Sequence, residues 1–345
     1  VDTSNIVADP DDDNAPTTPY DGDYGIINRG NLRTFGVYGD IFGEDADGNI
    51  DRTNLLSEGV EATSVYIANA TIAGGFRNDG DIGAFASNAD ATALLVGENT
   101  TLPHLLNNNR IQAGVTGSGG DVGGEAVAIQ IDSSASVSSI TNNAFILTEV
   151  TSDDSNAYGI RDMSGTVTSF TNTGVVQVNR RDDTSLENDE NAAEPLVVAA
   201  DFSANTAGVD ILSTVQDDFD PDTSNRASFG IIIGDVLTGS GNDSYTSDAG
   251  SLFGDLTMNA GNDTVDLSLG TGIFGNVDFG TGNNTLLADD ATIEGALTFG
   301  TGSSSITLNN GSTVTGDISS TGNLDIAVSG STLNFGSNSN LNLDN

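Results

Sequence analysis

From residue 234 onward the sequence repeats itself, and no other feature restricts its fold so tightly. Gly234, Gly254, Gly275, Gly295 and Gly316 are spaced by 20, 21, 20 and 21 residues, and Gly241, Gly261, Gly282, Gly302 and Gly322 by 20, 21, 20 and 20. A period of about 20 residues held this closely marks a solenoid, whose repeats share one core with their neighbours. The apolar residues identify the repeating unit. They come in pairs two apart: Leu256 and Met258, Val265 and Leu267, Val277 and Phe279, Leu286 and Ala288, Leu297 and Phe299, Ile306 and Leu308. Single apolar positions follow at Ile273, Ile293 and Val314. A step of two places both members of a pair on one face of a strand. The Gly, Asn, Asp, Ser and Thr between them are turn formers. Each repeat therefore reads as two or three short strands, one coil of a parallel β-helix, with successive coils pairing about 4.8 Å apart. A β-sandwich is disfavoured, because its strands do not repeat their glycines in register.

A looser repeat precedes it, over residues 25–233. An apolar residue, an Asn two positions on and an apolar residue four beyond recur as Ile26-Asn28-Leu32, Phe76-Asn78-Ile82, Leu105-Asn107-Ile111, Ile140-Asn142-Ile146 and Phe170-Asn172-Val176. These are coils with insertions at their turns. An Asn fixed at one turn of every coil tolerates left-handed backbone and can form an amide ladder up the stack. Insertions are expected at residues 43–58, 114–124, 179–195 and 216–227. Residues 1–24 are acidic and contain Pro, and read as an extended arm. The expected organisation is thus an arm (1–24), irregular coils (25–233) and regular coils (234–345).

Composition narrows the chemistry. The chain carries 50 acidic and nine basic residues for a net charge of −41, and all nine basic residues are Arg. Such a surface repels nucleic acid and anionic membranes, and salt or divalent cations relieve its self-repulsion. Without Lys there is no Schiff-base chemistry, and without Cys no disulfide or thiol chemistry. No apolar run is long enough to span a membrane as a helix. The first residues are already polar, so any signal peptide is expected to precede Val1.

Coils such as GNVDFGTGNNTLLADDATIE, with upstream segments FRNDGDI and FTNTGVV, resemble the passenger region of bacterial autotransporters over most of residues 25–345. The resemblance implies a right-handed parallel β-helix exported to the outer surface of a Gram-negative bacterium. It also implies a C-terminal β-barrel translocator; residues 296–345 continue the repeat instead, so the barrel is expected to be cleaved off or to fall outside this sequence, or export to use another route. The family's functions range over adhesins, self-associating surface proteins, proteases and esterases, so it does not fix the activity.

Candidate sites follow from the acids. Gly241-Asn242-Asp243-Ser244 and Gly261-Asn262-Asp263-Thr264 resemble the calcium-binding nonapeptide repeats of RTX proteins, with Asp243 and Asp263 as ligands. The coils run 20 or 21 residues rather than eighteen, and Asn284 and Ser304 replace the Asp in the next two, so ordinary solvated turns are the competing reading. Asp45, Asp47, Asn49 and Asp51 alternate as in calcium loops of the EF type, although Ile50 stands where that loop needs Gly. Asp217, Asp218, Asp220 and Asp222 form a weaker cluster. His104 is the only histidine, sits before Leu105 and Leu106, and reads as structural rather than catalytic. Paired carboxylates for glycoside hydrolysis arise by chance in so acidic a chain; Asp153-Asp154 and Asp289-Asp290 are adjacent in sequence and so face opposite ways on a strand.

The expected function is a secreted, non-catalytic surface-structural protein that self-assembles head to tail or side by side into filaments or a layer, with Ca2+ as a candidate bridge. Leu333, Phe335, Leu341 and Leu343 would supply an end contact. The alternatives are a monomeric adhesin that binds a glycan or host surface through its insertions, and a glycan-active hydrolase.

Overall fold

The computed structural model describes residues 24–36, 42–44, 50–55, 60–116, 124–151, 155–181, 196–215 and 230–340. Three parallel sheets run through the described residues. The first has eleven strands, from Ile26–Asn28 to Asn323–Ser329; the second has eleven, from Leu32–Phe35 to Thr332–Phe335. The third has ten, from Ala62–Ile67 to Ile318–Ser320. Each sheet takes every third strand of the winding, so a coil is one strand from each sheet and three corners. This is the parallel β-helix that the repeat predicts, right-handed as parallel crossovers are. Eleven strands at about 4.8 Å span about 48 Å.

The core is a set of inward columns. Every apolar pair predicted from the regular repeat is buried, from Leu256 and Met258 to Ile306 and Leu308, as are Ile273, Ile293 and Val314. Like residues stack on like: Phe279 and Phe299 lie with their rings 4.5 Å apart and 10° from parallel. Burial of each such ring is worth about 2–3 kcal/mol, and the column repeats it coil after coil.

The glycine rows mark two corners. Gly254 and its equivalents lie between the second and third sheets, and Gly261 and its equivalents between the third sheet and the next strand of the first. At Gly282 the backbone has φ of +135°, and a Cβ would fall 1.5 Å from the carbonyl oxygen of Gly261 one coil below. The register of the glycines is therefore set by coil-to-coil approach as well as by turn conformation.

At the first predicted insertion, overlapping its start by one residue, Phe42–Glu44 and Ile50–Leu55 pair antiparallel, the only sheet among the described residues that leaves the helical winding.

Candidate functional site

The predicted Asn ladder forms at the corner between the first and second sheets. The Nδ2 of Asn28 donates to the Oδ1 of Asn78 at 2.8 Å, Asn78 to Asn107 at 2.8 Å, Asn107 to Asn142 at 2.8 Å and Asn142 to Asn172 at 2.9 Å. Asn172 passes the chain on to the carbonyl of Ile231 at 3.2 Å. The last four amides have no solvent access. A buried amide is costly unless both ends are paired, and here each rung closes the next. Ser213 and Ser247 continue the column in register, and Leu267, Ala288 and Leu308 replace it with hydrocarbon. Tyr245 lies fully buried beside these serines, and burial pushes its phenol up to about 12.

A second polar column stands at the corner between the third and first sheets. Asp243 and Asp263, 2% and 0% exposed, stack with Asn284 and Ser304. The Oδ1 of Asp243 accepts from the amide of Val209 at 2.8 Å. That of Asp263 accepts from the amide of Asp243 at 2.9 Å, and that of Asn284 from the amide of Asp263 at 2.9 Å. The solvated-turn reading of these two Asp is thereby corrected: the turn is tight enough that the side chain folds inward to cap the coil below. The second oxygens differ. Thr238 donates its hydroxyl to the Oδ2 of Asp243 at 2.6 Å. One coil on, Met258 replaces Thr238, and the buried Oδ2 of Asp263 has no hydrogen-bond partner. Burial pushes Asp243 above the usual carboxylate range; burial, with a smaller push from the neighbouring Asp243 carboxylate, takes Asp263 to about 7.

Two further ladders line the outer turns. Asn242 accepts from the amide of Asn262, and Asn262 from that of Asn283; Asp235 accepts from Asp255, and Asp255 from Asn276, at 2.7 to 2.9 Å. Burial pushes Asp235 upward as well. Asp289 accepts from the amide of the Asn310 side chain at 2.5 Å. These acids join coils, and the sequence showed that only as fixed spacing.

Four of the nine arginines gather on the first three coils. Arg33 and Arg110 reach the same Oδ2 of Asp81 at 3.0 and 2.8 Å, and Arg77 and Arg29 reach Asp79 at 2.8 and 3.8 Å. Partial burial raises the pKa of Asp81, but the two guanidiniums outweigh it and hold the carboxyl below its usual range. His104 meets Tyr24 edge-on, with ring centroids 5.3 Å apart, and Arg77 sits 5.9 Å from the same tyrosine ring. Leu105 is buried below His104, whereas Leu106 is only half-buried.

A groove of about 440 Å³ opens on the second sheet, lined among others by Phe35, Phe85, Gln112, Glu149 and Thr151. Phe35 and Phe85 stack at 5.4 Å and 19°. Phe85 lies flat on the sheet because Gly83 and Gly114 give it room; a Cβ on either would come within 3.0 Å of the ring. Nothing in the sequence reading pointed to this groove.

Of the predicted loop ligands, Asp45, Asp47 and Asn49 lie outside the described residues, and Asp51 falls in the strand Ile50–Leu55. The cluster from Asp217 to Asp222, Asp153-Asp154, Leu341 and Leu343 also lie outside them. Of the predicted end-contact residues, Leu333 packs half-buried against the core and Phe335 is 52% exposed. Among the described residues no group of three or more His, Cys, Asp or Glu is placed to hold a metal ion, and no helix is long and apolar enough to cross a membrane. No family model, curated protein or solved structure matches the chain.

Proposed function

We propose that the chain is a non-catalytic structural rod, displayed outside the cell in the manner of an autotransporter passenger and assembling with copies of itself. One observation carries the reading: polar side chains that could have formed a reactive cluster are used to join coils. The Asn ladder runs from Asn28 to Asn172 and the aspartate column from Asp243 to Ser304, with side-chain bonds between coils continuing to Asp317 and Asn338. A solenoid bonded this way resists bending and local opening, which suits a spacer or scaffold. A net charge of −41 keeps such rods apart until salt or divalent cations screen it. The test is electron microscopy with light scattering on the purified chain, in calcium and then in chelator. Filaments or layers in calcium alone would identify the cation as the bridge, with the loop carrying Asp45, Asp47, Asn49 and Asp51 as the place to mutate. Assemblies in both conditions would keep the structural reading without calcium. A monodisperse monomer in both would overturn assembly.

The groove at Phe35 and Phe85 favours a second reading, an adhesin that binds a neutral glycan. Flat aromatic faces beside an amide, a carboxylate and a hydroxyl suit the apolar face and polar rim of a pyranose ring. Glycan-array binding that Phe85→Ala abolishes would support it.

A further inference from the structure

The outer faces of the sheets are unequal. On the first sheet the outward positions are mostly hydroxyl-bearing or acidic, as in Ser139, Ser169, Asp210, Ser244 and Thr264, which lie in one register. On the second sheet one outward column runs Phe145, Val175, Ile231, Ser251, Gly272, and the adjacent one, two residues along each strand, passes Gln177 and runs on through Ile233, Phe253 and Phe274. Leu147 fills the second column beside Phe145. Phe145 is 49% exposed and Phe253 44%, and Phe253 and Phe274 stack at 4.9 Å. Across these five coils neither column contains a charged residue, in a chain with 50 acids.

The stripe also carries opposite charge at equal distances on the two sides of its middle strand, Ile231–Ile233. Three coils toward the N-terminus stands Arg110, which with Arg33 shares the single carboxylate of Asp81. Three coils toward the C-terminus stands the exposed Glu294. One end is cationic and the other anionic, about 29 Å apart at the strand spacing.

We infer that this face of the second sheet is a self-association surface, on which two copies pack antiparallel about a two-fold axis along the strand Ile231–Ile233. The inference rests on the structural-rod reading and names its contact. Antiparallel packing brings the arginine end of each copy over the Glu294 end of the other, whereas parallel packing sets like charge on like. The partner best matched to apolar side chains repeating at the strand spacing is the same stripe. An isologous contact of this kind closes as a dimer. Across the axis Ile231 faces Ile231 and Ile233 faces Ile233, Phe145 faces Gly272, and Phe274 faces Leu147. The stripe is narrower than a standard interface of ~800 Å² per partner, so association is micromolar or weaker and strengthens as salt screens the net charge.

Because the chain has no Cys, single cysteines report the geometry directly. The full chain at about 100 μM in about 0.5 M NaCl is oxidised mildly as Ile233→Cys, Phe274→Cys, the Phe274→Cys/Leu147→Cys pair and a control, Thr141→Cys, on the first sheet. All four positions face outward, and unchanged circular dichroism melts verify the fold. Covalent dimer from Ile233→Cys and from the pair, but not from Phe274→Cys alone or the control, is expected. No dimer from Ile233→Cys, or as much from Thr141→Cys, overturns the surface. Light scattering on the unsubstituted chain separates the two readings: assembly without crosslinking at Ile233 discards this contact and keeps the rod, and a monomer throughout discards both.

Discussion

The coils before residue 215 and those after residue 230 share three sheets and one core, yet they hold their corners by different chemistry. In the earlier coils the buried polar column is amide on amide, at the corner between the first and second sheets. In the later coils that corner passes from Ser247 to hydrocarbon at Leu267, Ala288 and Leu308, and the buried polar column is a side-chain oxygen on a backbone amide, carboxylate at Asp243 and Asp263, at the corner before the first sheet. An amide side chain donates and accepts, so a ladder of them closes at every rung whatever loops interrupt the coils. An ionised carboxylate only accepts. It suits a short, repeated turn that presents a backbone N–H from the coil below, but it brings a second oxygen needing its own donor. Thr238 provides one to Asp243, and nothing provides one to Asp263. Regularity in the later coils thus leaves one carboxylate half-satisfied, and irregularity in the earlier coils is tolerated because the ladder does not depend on turn length.

Each region is least forgiving at a different position. In the regular coils Gly282→Ala must relieve both a positive φ and a contact of 1.5 Å with backbone. Backbone there cannot yield without separating coils, so a loss of about 3–5 kcal/mol is expected, read as the shift in the urea midpoint. In the ladder Asn107→Leu keeps the branching of the side chain but removes the ladder acceptor of Asn78 and the ladder donor of Asn142. Each orphaned buried group costs about 1–3 kcal/mol, so a loss of about 2–5 kcal/mol is expected. The same residue type is native at Leu308 in the matching register. If Asn107→Leu proved neutral, the two corners would be interchangeable and the ladder would be incidental.

Asp263 sets the later coils apart by pH as well. Its pKa lies at about 7 in the folded chain, against 3.8 for an ordinary Asp. The folded state therefore holds the proton more tightly than the unfolded state, and the contribution is full below about pH 4 and lost as pH rises to about 7. Asp263→Asn removes this dependence and places an Nδ2 where Asn284, one coil on, donates to the carbonyl of Phe279 at 3.2 Å. The variant is expected to be more stable than the parent by about 2–4 kcal/mol at pH 8, with the gain shrinking toward pH 4. Equal stability of the two at pH 8 would mean that Asp263 is solvated or otherwise paired there.

The inward columns and the amide ladder were legible because each is a fixed offset in the sequence: pairs two apart, and Asn28, Asn78, Asn107, Asn142 and Asn172 in the same local frame. The fate of Asp243 and Asp263 was not. A Gly-Asn-Asp turn is equally compatible with a carboxylate turned out to a cation or turned in to a backbone amide, and the choice is made by the coil below. One signal was present in the sequence: Asn284 and Ser304 succeed Asp263 in register, and both can cap a backbone amide, whereas a calcium column would keep its carboxylates. The Arg33, Asp81 and Arg110 cluster joins three coils across an insertion of unequal length, and the Phe35 and Phe85 groove depends on Gly114 in the next strand as well as on Gly83. Neither has a local sequence signature.

The smallest expected effect tests whether charge matters to the earlier coils as it does to the later ones. Asp81→Asn removes the carboxylate shared by Arg33 and Arg110, both of which are substantially exposed. Solvent screening limits such a cluster to under about 1 kcal/mol, and about 0.5 M NaCl should shrink the loss further. The sign with pH is opposite to that of Asp263. The folded pKa of Asp81 is held down, so its contribution is present above the ordinary Asp value and disappears as pH falls through the folded value. Stability of parent, Asp81→Asn and Asp263→Asn measured across pH 3 to 8 should therefore show two oppositely sloped differences, the Asp81 one confined to acid and the Asp263 one spreading to neutrality. Slopes of the same sign would mean that the two regions do not differ in how they bear charge, and that Asp263, like Asp81, is held more readily as the carboxylate in the folded chain than in the unfolded one.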